Sequence, residues 1–154
     1  MIVAVLALAG IFLATYLTLY KIGVIGRLAC SVGHCETVNT SKWASLLGLP
    51  IAAWGIAFYV VLFLTAMAGV SDRFGEAAWV SKALLGLATW GAIFSAWLTY
   101  LELFVIHAIC VWCVTSALMV TVAFVASLLD WRDRARVSVP VADQPPVPVP
   151  SSTP

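Results

Sequence analysis

The chain has 154 residues, of which 63% are hydrophobic and only 10% charged, with a net charge of +1 and a mean hydropathy of +1.06. A soluble domain is about half apolar and about a quarter charged, so this chain lacks the charge to cover a surface in water, and lipid must solvate most of it. The near-neutral balance also excludes the electrostatic footprint of a nucleic-acid-binding protein.

Met1–Tyr20 carries no charged side chain and meets the roughly 20 apolar residues that a bilayer crossing requires. No basic residue precedes this run, unlike a secretory signal, so it reads as a retained span; a trimmed basic leader is the alternative. Lys21–Leu49 is the longest polar loop and contains Cys30 and Cys35. Pro50–Val70 is a second charge-free span, and Ser71–Lys82 a short connection. From Ala83 to Leu129 the only ionisable groups besides thiols and tyrosines are Glu102 and His107. As one helix this stretch would be about 70 Å long, more than twice the hydrocarbon thickness of ~30 Å. It must fold back, with spans near 81–102 and 107–129 and the bend at Glu102 and His107. Residues 130–154 open with Asp130 and "WRDRAR" and end "VPVADQPPVPVPSSTP", a proline-rich ending that predicts an extended or disordered tail. The chain thus divides into a four-span all-α membrane domain over 1–129 and a basic, then proline-rich, tail.

Four spans place both termini on one side. That side collects Arg73, Lys82, Arg132, Arg134 and Arg136, against Lys21, Arg27 and Lys42 on the other, which predicts cytoplasmic termini in a plasma membrane. Cys30, Cys35, Cys110 and Cys113 then all fall on the outer face, where disulfides persist. Buried cysteines used only as small hydrophobes would scatter over both ends of the spans.

Cys110 and Cys113 are i and i+3, so on a helix they share a face about 5–6 Å apart, within disulfide reach. At the start of a fourth span they would sit where the helix dipole and free N–H groups favour a thiolate. His107, one turn earlier, could add to that effect, or simply face lipid headgroups. Cys30 and Cys35 bracket "SVGH", flexible enough at Gly33 to close a disulfide and exposed enough to exchange it. An exposed pair and a membrane-edge pair can relay oxidising equivalents through mixed disulfides. Four thiols could instead hold zinc or carry a soft metal such as Cu(I) or Hg(II), although the spacing matches no usual finger. Glu102 and His107 are the candidate proton carriers near the bend.

The stretch "CSVGHCETVNTSKWASLLGLPIAAWGIAFY", followed by "CVWC" at the head of the last span, resembles the vitamin K epoxide reductase family in its bacterial form. The similarity covers roughly residues 1–129, and its carriers are Cys30, Cys35, Ser41, Gly48–Pro50, Cys110 and Cys113. In the analogous DsbB family the CxxC pair precedes the other pair; here the order is reversed. The resemblance implies a four-helix bundle capped by the long loop, whose short interfacial helix would fall on "NTSKWASLL". Asn39, Thr40 or Ser41 would cap that helix, and Trp43, Leu46 and Leu47 would form its apolar face. It further implies a quinone (ubiquinone, menaquinone or vitamin K type) bound near Cys113, Ser41 and Ala117. Cys30 would exchange with an extracytoplasmic thioredoxin-fold, DsbA-like dithiol protein, Cys35 would pass electrons to Cys110, and Cys113 would reduce the quinone. Ser41 would position the loop, or serve only as a helix cap. Vertebrate members carry a tyrosine where this chain has Ala117, which points to quinone reduction rather than epoxide reduction. Some bacterial relatives carry a fused thioredoxin-like domain; the proline-rich ending here implies a separate protein substrate.

Overall fold

In hydrocarbon every backbone N–H and C=O must find a partner within the protein, and a long charge-free segment does this as a helix. A computed structural model of the chain describes residues 1–30, 33–71 and 78–137. Its helices are α1 (Ile2–Lys21), α2 (Cys35–Thr40), α3 (Ile51–Val70), α4 (Ala78–Tyr100) and α5 (Val111–Val137). Four segments, Ile2–Lys21, Ile51–Val70, Trp79–Ile106 and Val111–Arg134, are long and apolar enough to cross a membrane. The fold is an all-α four-helix membrane bundle.

The long helices close a ring: α1 packs on α3 and α5, and α4 packs on the same two. Close approach depends on small residues at the crossings. Gly10 lies against the ring of Tyr59, and Gly91 against Phe58 and Val120, so a Cβ at either would run into a side chain. One core cluster in the bundle joins Ala7, Ala14, Tyr59, Leu62 and Val120. A second, at the cysteine end, joins Leu13, Leu17, Leu28, Cys35, Val38, Ala108 and Cys110. Outward-facing Phe12, Leu64 and Leu118 stay exposed on the protein, as lipid-facing residues should. Hydroxyls that would otherwise meet lipid donate back to their own helix: Thr15 to the Ile11 carbonyl, Thr65 to Val61 and Thr121 to Ala117, at 2.7–2.8 Å.

The second half bends differently from the expected 81–102 and 107–129. The third span continues through a π-helical turn, Leu101–Ile106, and stops at His107 in the left-handed conformation (φ 52°). The Ala108 N–H closes back on the Glu102 carbonyl at 3.1 Å, and α5 starts only at Val111. Cys110 is therefore the residue that caps α5, its carbonyl accepting the Val114 N–H at 3.0 Å, and Cys113 alone lies within the first turn. At the other end α5 runs on to Val137, taking "WRDRAR" into the helix. Asp130 Oδ2 anchors that extension, accepting from Ser81 Oγ at 2.8 Å and from Arg134 Nε at 3.0 Å. The proline-rich stretch 138–154 and the connection 72–77, with Arg73, lie outside the described residues.

The outer loop carries a short helix as expected, but earlier than "NTSKWASLL": α2 begins at Cys35 and takes in only Asn39 and Thr40 of that stretch, and Ser41 ends it with extended backbone (ψ 157°). A single 3-10 turn, Lys42–Ala44, follows, and then a hairpin pairs β1 (Ser45–Leu46) with β2 (Leu49–Pro50), Leu46 opposite Leu49. Its two-residue turn, Leu47–Gly48, has φ of 54° and 80°, the positive pair that suits a tight hairpin. Trp54 Nε1 of α3 donates to the Leu46 carbonyl at 3.3 Å and holds the hairpin on the bundle. Trp43, Leu46 and Leu47 are exposed, but they lie on the 3-10 turn and the hairpin and not on one face of a helix.

Candidate functional site

Two loops meet over the end of the bundle, and backbone contacts hold them there. Ala29, just before Cys30, is gripped on both backbone groups: its N–H donates to Tyr16 Oη at 2.8 Å and its carbonyl accepts from Trp112 Nε1 at 3.0 Å. The rings of Tyr16 and Trp112 meet edge to face at 5.5 Å, so α1 and α5 present one clamp. Beyond the cysteine, Gly33 forms an antiparallel bridge with Cys110, and the His34 N–H donates to the Ile109 carbonyl at 2.9 Å. Gly33 sits at φ 94°, and a Cβ there would strike the Ile109 carbonyl oxygen. Only glycine suits both the conformation and the close approach. On the far side of α2, Lys21 Nζ donates to the Asn39 carbonyl at 2.6 Å and Asn39 Nδ2 to the Leu17 carbonyl at 3.4 Å, seating α2 on the end of α1.

This framework brings all four cysteines into one cluster. Cys30 and Cys35 are joined as a disulfide, with Cα atoms 6.4 Å apart. Cys110 and Cys113 are free thiols in hydrogen-bonding contact with each other. Exposure follows an order: Cys30 is half-buried, Cys35 and Cys110 are 1% and 0% exposed, and Cys113 is again half-buried. The hydrogen bond from the Cys113 thiol holds Cys110, at the membrane edge, below the usual thiol range, against the opposing effect of burial.

Cys113 opens onto a cavity of about 530 Å³ among α1, α3, α4 and α5. That volume suits a small organic molecule, for which pockets run to about 300–1,000 Å³. The wall is mostly apolar and aromatic, with Trp54, Phe58, Trp90 and Phe94, and includes Ser41 and Ala117. Cys113, Ser41 and Ala117 thus share the cavity, while Cys30, Cys35 and Cys110 form a column leading to it. A planar, apolar ring with polar oxygens fits this lining, which offers the Cys113 thiol beside a few polar groups. Ser41 Oγ donates to the Val38 carbonyl at 2.7 Å, which ends α2 and shapes the cavity roof.

The two ionisable residues of the bend separate. Glu102 turns inward, 5% exposed, on the cavity wall. His107 turns outward, exposed, its Nδ1 3.1 Å from the Leu103 carbonyl, which agrees with the outward-facing of its two readings and not with one directed at Cys110. Tyr59 escaped the sequence reading altogether. It is 3% exposed on the cavity wall, and its Oη lies 2.7 Å from Ser116 Oγ of α5. The signal was present, since a phenol in a charge-free span needs a buried partner. Among the described residues no group of three or more His, Cys, Asp or Glu side chains is placed to hold a metal. Comparison with known families finds that residues 1–128 match the model of the vitamin K epoxide reductase family.

Proposed function

This chain belongs to the vitamin K epoxide reductase family, membrane thiol oxidoreductases linked to quinones, and from that premise we propose that it generates disulfides for an extracytoplasmic thioredoxin-fold protein. The observation that carries the reading is the order of exposure along the cysteine column: reachable Cys30, buried Cys35 and Cys110, then Cys113 on an apolar cavity.

Cys30 is the sulfur that a partner's thiolate can reach. Attack there releases Cys35 as thiolate, and the partner's second thiolate then resolves the mixed disulfide, leaving the partner oxidised and Cys30 and Cys35 reduced. With the inner pair oxidised, Cys35 attacks Cys110 and Cys113 leaves; Cys30 then attacks Cys35 and Cys110 leaves. The lowered pKa of Cys110 makes it a good leaving thiolate in that second step. The Gly33–Cys110 bridge holds the two loops together for this exchange. A quinone in the cavity would supply the two-electron, two-proton acceptor that returns the inner pair to a disulfide. Ser41 and the aromatic wall would orient it, and Cys113 would face it. The strongest thioredoxin-fold oxidants sit near about −120 mV, so their reoxidation calls for an acceptor of still higher potential. The excess of Arg at the foot of α5 supports cytoplasmic termini in a plasma membrane, with the cysteine end outside.

Purified protein in nanodiscs, given a reduced thioredoxin-fold protein and ubiquinone or menaquinone, is expected to oxidise one dithiol per quinone reduced. Cys113→Ala abolishes quinone reduction. Stoichiometric zinc, copper or mercury on the four thiols with no quinone reduction would overturn the reading. With Ala117 in the cavity wall, the quinone epoxide is expected to be a poor substrate beside the quinone.

A further inference from the structure

A buried carboxyl in the middle of a redox site is costly unless it has work to do. Glu102 is such a group. Its Oε2 accepts the Cys110 N–H at 3.2 Å, and the same carboxyl is in hydrogen-bonding contact with the Cys113 thiol. It also lines the cavity that Cys113 faces. A π-helical turn holds it there: the extra residue in Leu101–Ile106 widens the span's last turn, and Glu102 looks inward over the start of α5. Among the described residues it is the carboxyl that touches both the sulfur pair and the cavity. The contacts run in a line, from the Cys110 thiol to the Cys113 thiol to Glu102.

We propose that Glu102 is a catalytic acid–base residue that carries the thiol protons from the inner cysteine pair to the acceptor in the cavity. This rests on the quinone reading above and completes its proton balance. As the Cys110–Cys113 S–S bond forms, two S–H bonds are lost, two electrons pass to the quinone and its two carbonyl oxygens each gain a proton. Glu102 takes the Cys113 proton directly and the Cys110 proton by way of Cys113, handing each in turn to a quinone oxygen. No other reductant or base is needed, and water need not enter an apolar cavity.

The test is Glu102→Gln, which keeps an acceptor for the Cys110 N–H and so preserves the cap on α5, but carries no proton. Pre-reduced protein in nanodiscs is mixed with quinone in a single turnover, beside wild type. Quinone reduction is expected to fall about 100-fold or more in the variant, while exchange between the outer pair and a thioredoxin-fold dithiol stays within about twofold. A second readout uses no quinone: the infrared difference spectrum between dithiol and disulfide forms should show a carboxyl band in wild type that is absent in the variant. Quinone reduction by Glu102→Gln within about threefold of wild type, or a difference spectrum with no Glu102 band, would overturn the proposal. Failure of wild type itself to reduce quinone would count against the proposed function, and the infrared arm would still decide whether Glu102 follows the redox state of the pair.

Discussion

Gly33 and Tyr59 show how much of this site hangs on single residues. Gly33 lies where the outer loop touches the backbone before α5, at a positive φ and against the Ile109 carbonyl. A side chain there costs about 1–3 kcal/mol in backbone strain and also pushes the loops apart. Gly33→Ala should therefore slow electron transfer from the outer to the inner pair by at least about tenfold, the factor that ~1.4 kcal/mol represents. Quinone reduction by an inner pair loaded with a small-molecule thiol should stay unchanged, and rapid-quench trapping of the two dithiols separates these steps. Tyr59 acts between helices. Tyr59→Phe keeps the ring against Gly10 but removes the bond to Ser116, for a loss of about 0.6–1 kcal/mol. Its thermal midpoint should drop by a few degrees, and Ser116→Ala should add little on top, since both remove one interaction. The sequence shows that both residues are unusual, a glycine between two cysteines and a phenol in a span. It does not show what either touches.

Elements depart from local expectation wherever a contact from elsewhere in the chain overrides composition. "NTSKWASLL" has capping residues and an apolar face, yet Ser41 turns extended and the next residues build a hairpin on Trp54. The opposite happens at the foot of α5. "WRDRAR" looks like the start of a tail, but Asp130 binds Ser81 of α4 and Arg134 one turn on, and the helix continues to Val137. Asp130→Ala should leave quinone reduction intact and speed amide exchange across 130–137, which hydrogen–deuterium exchange with mass spectrometry would detect. Unchanged protection there would mean that helix propensity alone sustains the extension.

At the scale of the whole molecule, the alternation of four spans puts the ends of α1 and α4 and the starts of α3 and α5 at one end, and the cysteine column stands there. Aqueous and lipid reagents should therefore find different sulfurs. In intact cells with reduced protein, a membrane-impermeant maleimide should label Cys30 and not a cysteine introduced at Arg132. Labelling of the second site and not the first would invert the proposed orientation. Cys113 should react chiefly with lipid-soluble reagents, because its open side faces an apolar cavity.

The sequence by itself determined the number of spans, their approximate limits, the order of the two cysteine pairs and the family. Each of these depends on composition or local spacing: hydrocarbon selects long apolar segments whatever their inner face, and a CxxC is read along one helix. Tertiary structure alone decided which side chains look inward. Nearly uniform apolar helices carry little pattern to say which face meets a neighbour, so nothing local distinguished inward Glu102 from outward His107, or paired Tyr59 with Ser116. The apposition of Gly33 with Cys110 is likewise a contact between distant loops, and it is what turns two separate cysteine pairs into one column ending at the cavity.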